Sequence, residues 1–203
     1  NTLGQFTEHP RVAALREFDV VMAMRERTAL PRSVLERLPQ LRLLITAGMG
    51  NRVIDVEAAR ELGITVCGTR THGRATVDLT WALILGLLRH VPQEHAAILQ
   101  GQWQTTIGLT CEGSVLGVVG LGNLGSQVAT IGAAFGMPVI AWSQNLTAAR
   151  AAQCGATLVT KDELFARSDI VSIHLQLSGR TTGLVGAHEL GLMKPTAYLV
   201  NTS

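Results

Sequence analysis

Gly120-Leu121-Gly122-Asn123-Leu124-Gly125 is the stretch whose residue types and spacing point most directly to chemistry. It follows the β-branched run Leu116-Gly117-Val118-Val119 and opens a helical pattern that leads to a second strand-like run. In that context Gly120 allows a tight turn, Gly122 lets the backbone approach a pyrophosphate, and Gly125 lets a helix pack closely on the strand. N–H groups at the helix start, near Asn123 and Leu124, then face the negative charge. A Gly-rich turn chosen only for packing is the plainer alternative, and the flanking strand and helix are what favour a dinucleotide site. Such a site normally adds an Asp or Glu about 20 residues on, at the end of the second strand, to hold the adenosine ribose hydroxyls. Here Val139-Ile140-Ala141-Trp142 runs into Ser143-Gln144-Asn145, and no acid occurs from Gly113 through Arg150. Ser143 removes the repulsion that excludes a 2′-phosphate, yet no Arg adjoins it to attract one. NAD and NADP both stay open.

The elements that must position this stretch are those of repeated βα units, since short β-branched runs alternate with helical segments along most of the chain. The pattern predicts a helix over 10–17, a strand Asp19 to Met24, and a helix begun by Pro31. The strand Leu41 to Ala47, a helix opened by Asp55 and closed by Gly63, and the strand Ile64 to Cys67 follow. One long helical stretch runs from about Ala75 to the Gly101 region, is interrupted at Pro92, and is expected to bridge two lobes. Alternation then restarts with strands at 115–119, 139–142, 157–159, 170–174 and 197–201, and helices at about 123–135, 147–153, 161–167 and 187–193. The expected fold is α/β, with a doubly wound parallel-sheet (Rossmann) nucleotide lobe at 74–203 and a smaller α/β lobe at 1–73. The last strand has no crossover helix after it and the first element is a helix, so both lobes are expected to be incomplete.

Composition excludes several other classes. The 203 residues are 47% apolar and 16% charged with a net charge of +2, which is neither the low hydropathy nor the strong charge of a disordered chain. The 17 Lys and Arg are offset by 15 acids, and none of the basic residues lies between Arg89 and Arg150, so a nucleic-acid-binding patch is not expected. Residues 113–149 carry no charge, but Gly, Ser, Asn, Gln and Pro138 break the run before it reaches the ~20 apolar residues of a membrane span. Three widely spaced cysteines, Cys67, Cys111 and Cys154, argue for reduced thiols in the cytoplasm and against a disulfide framework or a metal site. Cys67, in a predicted strand, is expected to be buried packing, and Trp81 and Trp142 core or interlobe aromatics.

The chain resembles the D-isomer-specific 2-hydroxyacid dehydrogenase family, of the 3-phosphoglycerate dehydrogenase and glyoxylate/hydroxypyruvate reductase kind, truncated at both ends. The resemblance covers nearly the whole chain. It rests on Thr46-Ala47-Gly48-Met49-Gly50-Asn51 with Ile54-Asp55, on Asp78 to Leu83 with Leu88-Arg89, and on the Gly-rich stretch with Val139 to Ser143. Ser168 to His174 and Met193 to Ala197 with Leu199 to Ser203 agree as well. It implies reversible hydride transfer between a nicotinamide ring and C2 of a small 2-hydroxy or 2-oxo acid, and a flavodoxin-like substrate lobe. It also implies a homodimer in the full-length parent, built through the nucleotide lobes and the helix from Ala75 to His90. The family's catalytic Arg follows the motif ending here in Asn201-Thr202-Ser203, and its Glu and His come later, so the resemblance places all three beyond Ser203 and implies a chain that binds cofactor without turnover.

On the cofactor side the resemblance implies Gly120, Gly122, Asn123, Leu124, Gly125, Ser143, His174, Leu175, Asn201, Thr202 and Ser203. Where the family usually has His-x-Pro, this chain has His174-Leu175-Gln176, which restores an N–H and relaxes the turn. His174 has the residue type of a general base, but the resemblance gives it a cofactor-side role, with a plain strand-end histidine as the alternative. On the substrate side stand Arg25, Met49 and Gly50. Arg25 and the Gly48-Met49-Gly50 loop each follow a strand's carboxyl end, where ligands of parallel sheets sit, and a Gly-bounded loop can present successive N–H groups to an anion. An uncommitted charge in the solvated Arg25-Glu26-Arg27 loop is an equal reading for Arg25. His9, His72, His90, His95 and His188 carry no motif. The rival from another class is an NAD-sensing, co-repressor-like interaction protein, and a methyltransferase with a related loop is a third reading.

Overall fold

The computed structural model describes residues 10–70 and 73–203, and the chain divides into two compact units at Gly73. His9 and His72 lie outside the described residues.

The first unit contains α1 (Pro10–Leu15), β1 (Val20–Ala23), α2 (Arg32–Leu35), β2 (Leu43–Thr46), α3 (Val56–Glu61) and β3 (Thr65–Gly68). Its three strands pair in parallel in the order β1-β2-β3, with Val20 opposite Leu43 and Leu43 opposite Thr65. Asp55 caps α3 by accepting the Ala58 N–H, and Gly63, at φ +74°, takes the left-handed turn that ends it. Leu30, Leu35, Leu44, Ala58 and Ala59 fill the core between these elements. A 3₁₀ turn, Arg25–Arg27, follows β1 in place of an open loop. Cys67 is exposed, contrary to expectation. Alternate residues of a strand face opposite ways, so with Val66 turned onto the core, Cys67 on edge strand β3 must face out.

The second unit opens with α4 (Arg74–Leu88) and α5 (Val91–Leu99). The break between them falls at Arg89-His90, with His90 at φ +52°, and not at Pro92. Pro92 sits in the first turn of α5, where its missing N–H has no intrahelical acceptor to lose. Then come β4 (Leu116–Val119), α6 (Asn123–Ala134), β5 (Val139–Trp142), α7 (Ala148–Gln153), β6 (Thr157–Leu158), α8 (Lys161–Arg167), β7 (Ile170–Ile173), α9 (Ala187–Leu192) and β8 (Tyr198–Asn201). All five strands are parallel, in the order β6-β5-β4-β7-β8.

This sheet is covered on both faces. Leu116, Val118, Ala141 and Ile170 pack with Trp81, Ile84 and Leu88 of α4 and Val128 and Ala129 of α6. The alternate residues Val119, Ile140 and Val171 pack with Leu164 and Phe165 of α8. Such two-sided burial explains why the strands read as continuous apolar runs. Gly132 allows α6 this approach, because a Cβ there would stand 2.6 Å from the Leu116 side chain. Trp81 stacks on Phe135 with ring centroids 5.0 Å apart. On the other face, the buried Glu189 carboxylate caps α9 at Gly186 N–H and pairs with Lys161 Nζ at 2.6 Å. The Lys161 hydrogen bond and the Gly186 N–H hold that carboxyl down at about 2.

Candidate functional site

Strand order reverses around β4, which has β5 on one side and β7 on the other. Loops leaving the carboxyl ends of β4 and β7 therefore diverge to opposite faces, and the crevice they leave is where such sheets bind ligands. Gly120 occupies that point. Its N–H donates to Trp142 O at 2.8 Å, and the His174 N–H donates to Val119 O at 2.8 Å. Its φ of +97° favours glycine, and a Cβ there would meet His174 O at 2.8 Å and Leu175 Cδ2 at 2.7 Å. The ends of β4, β5 and β7 are thus held together by one tight turn.

Helix α6 starts directly from this turn. A Cβ on Gly125 would stand 2.0 Å from Gly120 O, so only glycine lets the helix begin this close to the strand. Gly122, the residue before the helix, offers no side-chain cap, and a Cβ there would meet nothing within 4 Å. The Asn123 and Leu124 N–H groups have no hydrogen-bond partner among the described residues. Leu124 turns its side chain inward, against Gly73 and the core, so it offers the site its backbone alone. A helix of twelve residues with bare N–H groups and an open glycine before it fits a diphosphate, by backbone hydrogen bonds and by the helix dipole.

Two clefts flank Leu175. One, of about 300 Å³, is lined by Ser143, Gln144 and Asn145 after β5 and by Leu175, Ser178, Arg180 and Thr181 after β7. The other, of about 250 Å³, takes in Leu175 and Thr181 with Asn201 and Ser203 at the end of β8. Asn201 Oδ1 accepts from both the N–H and the hydroxyl of Ser203. Thr80 donates to Thr76 O and so accepts from Thr202, 2.8 Å away, which ties the end of β8 to α4.

His174 lines neither cleft. Its backbone abuts Gly120, while its ring Nε2 meets Ser172 Oγ at 2.9 Å and its buried Nδ1 has no partner among the described residues. Burial pushes the imidazole down to about 4. A general acid or base works best with a pKa near the operating pH, which this group lacks.

Within the first unit, Arg25 and the Gly48–Gly50 loop come together. Arg25 Nη1 would stand 3.2 Å from a Cβ on Gly48, and Asn51 Nδ2 donates to Arg25 O at 2.6 Å and to Thr46 Oγ1 at 3.0 Å. Thr69 Oγ1 takes the Gly48 N–H, whereas those of Met49 and Gly50 have no partner among the described residues. Met49 projects outward, 74% exposed. Arg25 also lies 3.7 Å from the Glu26 carboxylate.

Gln144, Ser178, Arg180 and Thr181 line the first cleft and are passed over by motif reading. Their one sequence signal is position, Gln144 after β5 and the other three in the turn after β7, hence at the carboxyl edge of the sheet. Among the described residues no cluster of His, Cys, Asp and Glu could hold a metal ion, and no helix is long and apolar enough to cross a membrane.

A doubly wound parallel sheet with a glycine turn and a bare helix N-terminus at its switch point defines a Rossmann-type dinucleotide-binding protein. The chain belongs to the D-isomer specific 2-hydroxyacid dehydrogenase family, whose NAD binding domain model matches residues 81–203. It is 40% identical over 181 residues to a glyoxylate reductase of Aeropyrum pernix, a match covering 83% of this chain and 53% of that protein. Among solved structures it is similar to a phosphoglycerate oxidoreductase of Vibrio cholerae, with TM-score 0.90, 34% identity, and 95% of this chain and 63% of that one covered. It is also similar to a D-lactate dehydrogenase of Aquifex aeolicus complexed with NAD and lactic acid, with TM-score 0.79 and 25% identity over 98% of this chain and 60% of that one. The chain spans about half the length of the first of these relatives.

Proposed function

We propose that this protein is the cofactor-binding part of an oxidoreductase that moves a hydride between nicotinamide and C2 of a small 2-hydroxy or 2-oxo acid. The observation that carries this reading is the start of α6, where Gly122 faces open space and the Asn123 and Leu124 N–H groups lack partners among the described residues. In it, those amides and the Gly120–Gly122 backbone hold the pyrophosphate, with Gly125 fixing the helix. Ser143 and Leu175 flank the adenosine end, and Asn201, Thr202 and Ser203 the nicotinamide end. Arg25 and the Met49 and Gly50 amides receive the substrate carboxylate. A bound nicotinamide dinucleotide supplies the hydride acceptor or donor. No general acid or base is assigned within residues 1–203, in keeping with the depressed basicity of His174.

The same reading makes the full-length parent a homodimer in the cytoplasm. What supports the dimer is one apolar surface of the second unit: Leu83, Leu87 and Val91 line an open cleft of about 640 Å³ on α4 and α5. Beside it, Glu94 accepts hydrogen bonds from Thr105 and Thr106 and so pins a segment that leaves Trp103 83% and Ile107 88% exposed. Exposed apolar patches of this kind mark interaction sites. Free thiols at Cys67, Cys111 and Cys154 suit a reducing compartment.

Titration of the chain with NADH and NADPH, followed by Trp fluorescence, tests the cofactor assignment. Trp142 hydrogen-bonds the Gly120 turn through its carbonyl, and quenching is expected. A folded chain that shows neither quenching nor binding heat with either dinucleotide overturns it.

A further inference from the structure

Of the residues that line the cleft beside Ser143 one is charged, and it is a cation. Arg180 lines this space together with Ser143, Gln144 and Asn145. No carboxylate is among the lining residues, and Arg180 has no ion-pair partner among the described residues. Sequence spacing alone looks for a cation next to Ser143 and finds none. The fold supplies one from a turn whose Arg180, 36 residues beyond Gln144, has its carbonyl 3.5 Å from Gln144 Nε2.

That turn is braced. Thr181 Oγ1 accepts the Ser178 N–H at 2.6 Å and donates to Gln176 O at 2.8 Å, and the Thr181 and Thr182 N–H groups both close on Ser178 O. The Thr182 hydroxyl adds a further bond to Ser178 O. The braced turn fixes where the Arg180 backbone stands, and the planar, forked N–H groups of its guanidinium match a phosphate dianion. Ser143, where a ribose-binding carboxylate would repel such a dianion, is neutral.

We propose that this cleft selects the dinucleotide whose adenosine ribose carries a 2′-phosphate, NADP over NAD, with Arg180 as the residue that pairs with that phosphate. The proposal rests on the dinucleotide reading of the α6 start, and the test separates the two. Calorimetric titrations of the wild-type chain and of Arg180→Ala with NADPH, NADH, 2′-phospho-ADP-ribose and ADP-ribose read binding without turnover. The expected result is tighter binding of both 2′-phosphorylated ligands to wild type. Arg180→Ala should weaken those two about ten-fold while changing NADH and ADP-ribose by less than about two-fold. Arg180→Lys, which keeps the charge and loses the fork, should fall between. Equal or tighter binding of NADH by wild type, or equal weakening of all four ligands in Arg180→Ala, overturns the selectivity and leaves the dinucleotide site standing. A folded chain that binds none of the four overturns both.

Discussion

Gly122 and Gly125 lie three residues apart in one motif, and the structure predicts opposite consequences for the same added methyl. In Gly125→Ala the Cβ would sit 2.0 Å from Gly120 O, a separation that Cβ atoms essentially never show, and a tight 3.0 Å from Gly120 C. Both contacts are main chain, and Gly120 is itself fixed through its N–H to Trp142 O at 2.8 Å, so no rotamer change relieves them. Helix α6 must back away from β4 by about 1 Å, which places the cost near the top of the overpacking range, about 3 kcal/mol. For a chain of this size that lowers Tm by roughly 6–12 °C. In Gly122→Ala the methyl meets nothing within 4 Å, and φ is −80°, so the folded state accepts it without strain. Stability should hold or rise by up to about 1 kcal/mol through the stiffened unfolded chain. The methyl would occupy the space in which a pyrophosphate reaches the Asn123 and Leu124 amides, so NADH and NADPH affinity should fall by about ten-fold or more. Thermal melts by circular dichroism and calorimetric titration give the two readouts. Equal loss of Tm in both variants would refute the packing argument, and wild-type affinity in Gly122→Ala would refute the backbone-cradle argument.

Two further outcomes follow from the geometry. His174 is held near 4 against an ordinary 6.5 by burial, so the folded state binds its proton less readily than the unfolded chain. Stability from keeping it neutral is complete above about pH 6.5 and is lost as pH falls towards 4, roughly 2 kcal/mol of it between pH 7 and pH 5. Denaturant melts of His174→Asn should lack that share of the pH dependence, and an unchanged profile would show the imidazole is not what titrates. On the apolar surface, Leu83→Asp with Leu87→Asp should convert a dimer to monomer in sedimentation equilibrium while the cofactor titration stays as in wild type, and a dimer surviving both substitutions would move the interface elsewhere.

The parts of this molecule that sequence makes legible are those whose physics is local. The strand-turn-helix around Gly120 is written in consecutive residues because a positive φ, a close helix start and an uncapped N-terminus each constrain the residue at that position. Capping works in the same way, and Asp55 and Gly63 mark both ends of α3. The α4–α5 break is different. Pro92 is the visible breaker, but a proline is tolerated in a first turn, and the reversal is taken up by His90, whose side chain carries no such signal. Cys67 shows the limit of a strand pattern: the run Ile64 to Cys67 announces a strand, while burial depends on which residue faces the core. With Val66 inward, Cys67 is exposed.

Arg180 lies at the far end of this range, because its placement beside Ser143 depends on β4 separating β5 from β7 and on a turn braced by Ser178 and Thr181. The division has a chemical reason. In the proposed site, backbone amides at the start of α6 take the diphosphate common to NAD and NADP, so the glycines that expose them would set affinity for both and favour neither. Discrimination needs a side chain that reaches the one position at which the two cofactors differ, and that position lies beyond the strand ends. A helix N-terminus cannot serve both purposes, since its dipole and N–H groups respond to negative charge without regard to which ribose bears it. On the proposed reading, selectivity comes from the rim, from residues such as Ser143 and Arg180 that line one cleft only after folding. Exchanging the rim should change which dinucleotide is preferred while the glycine turn keeps its hold on the pyrophosphate.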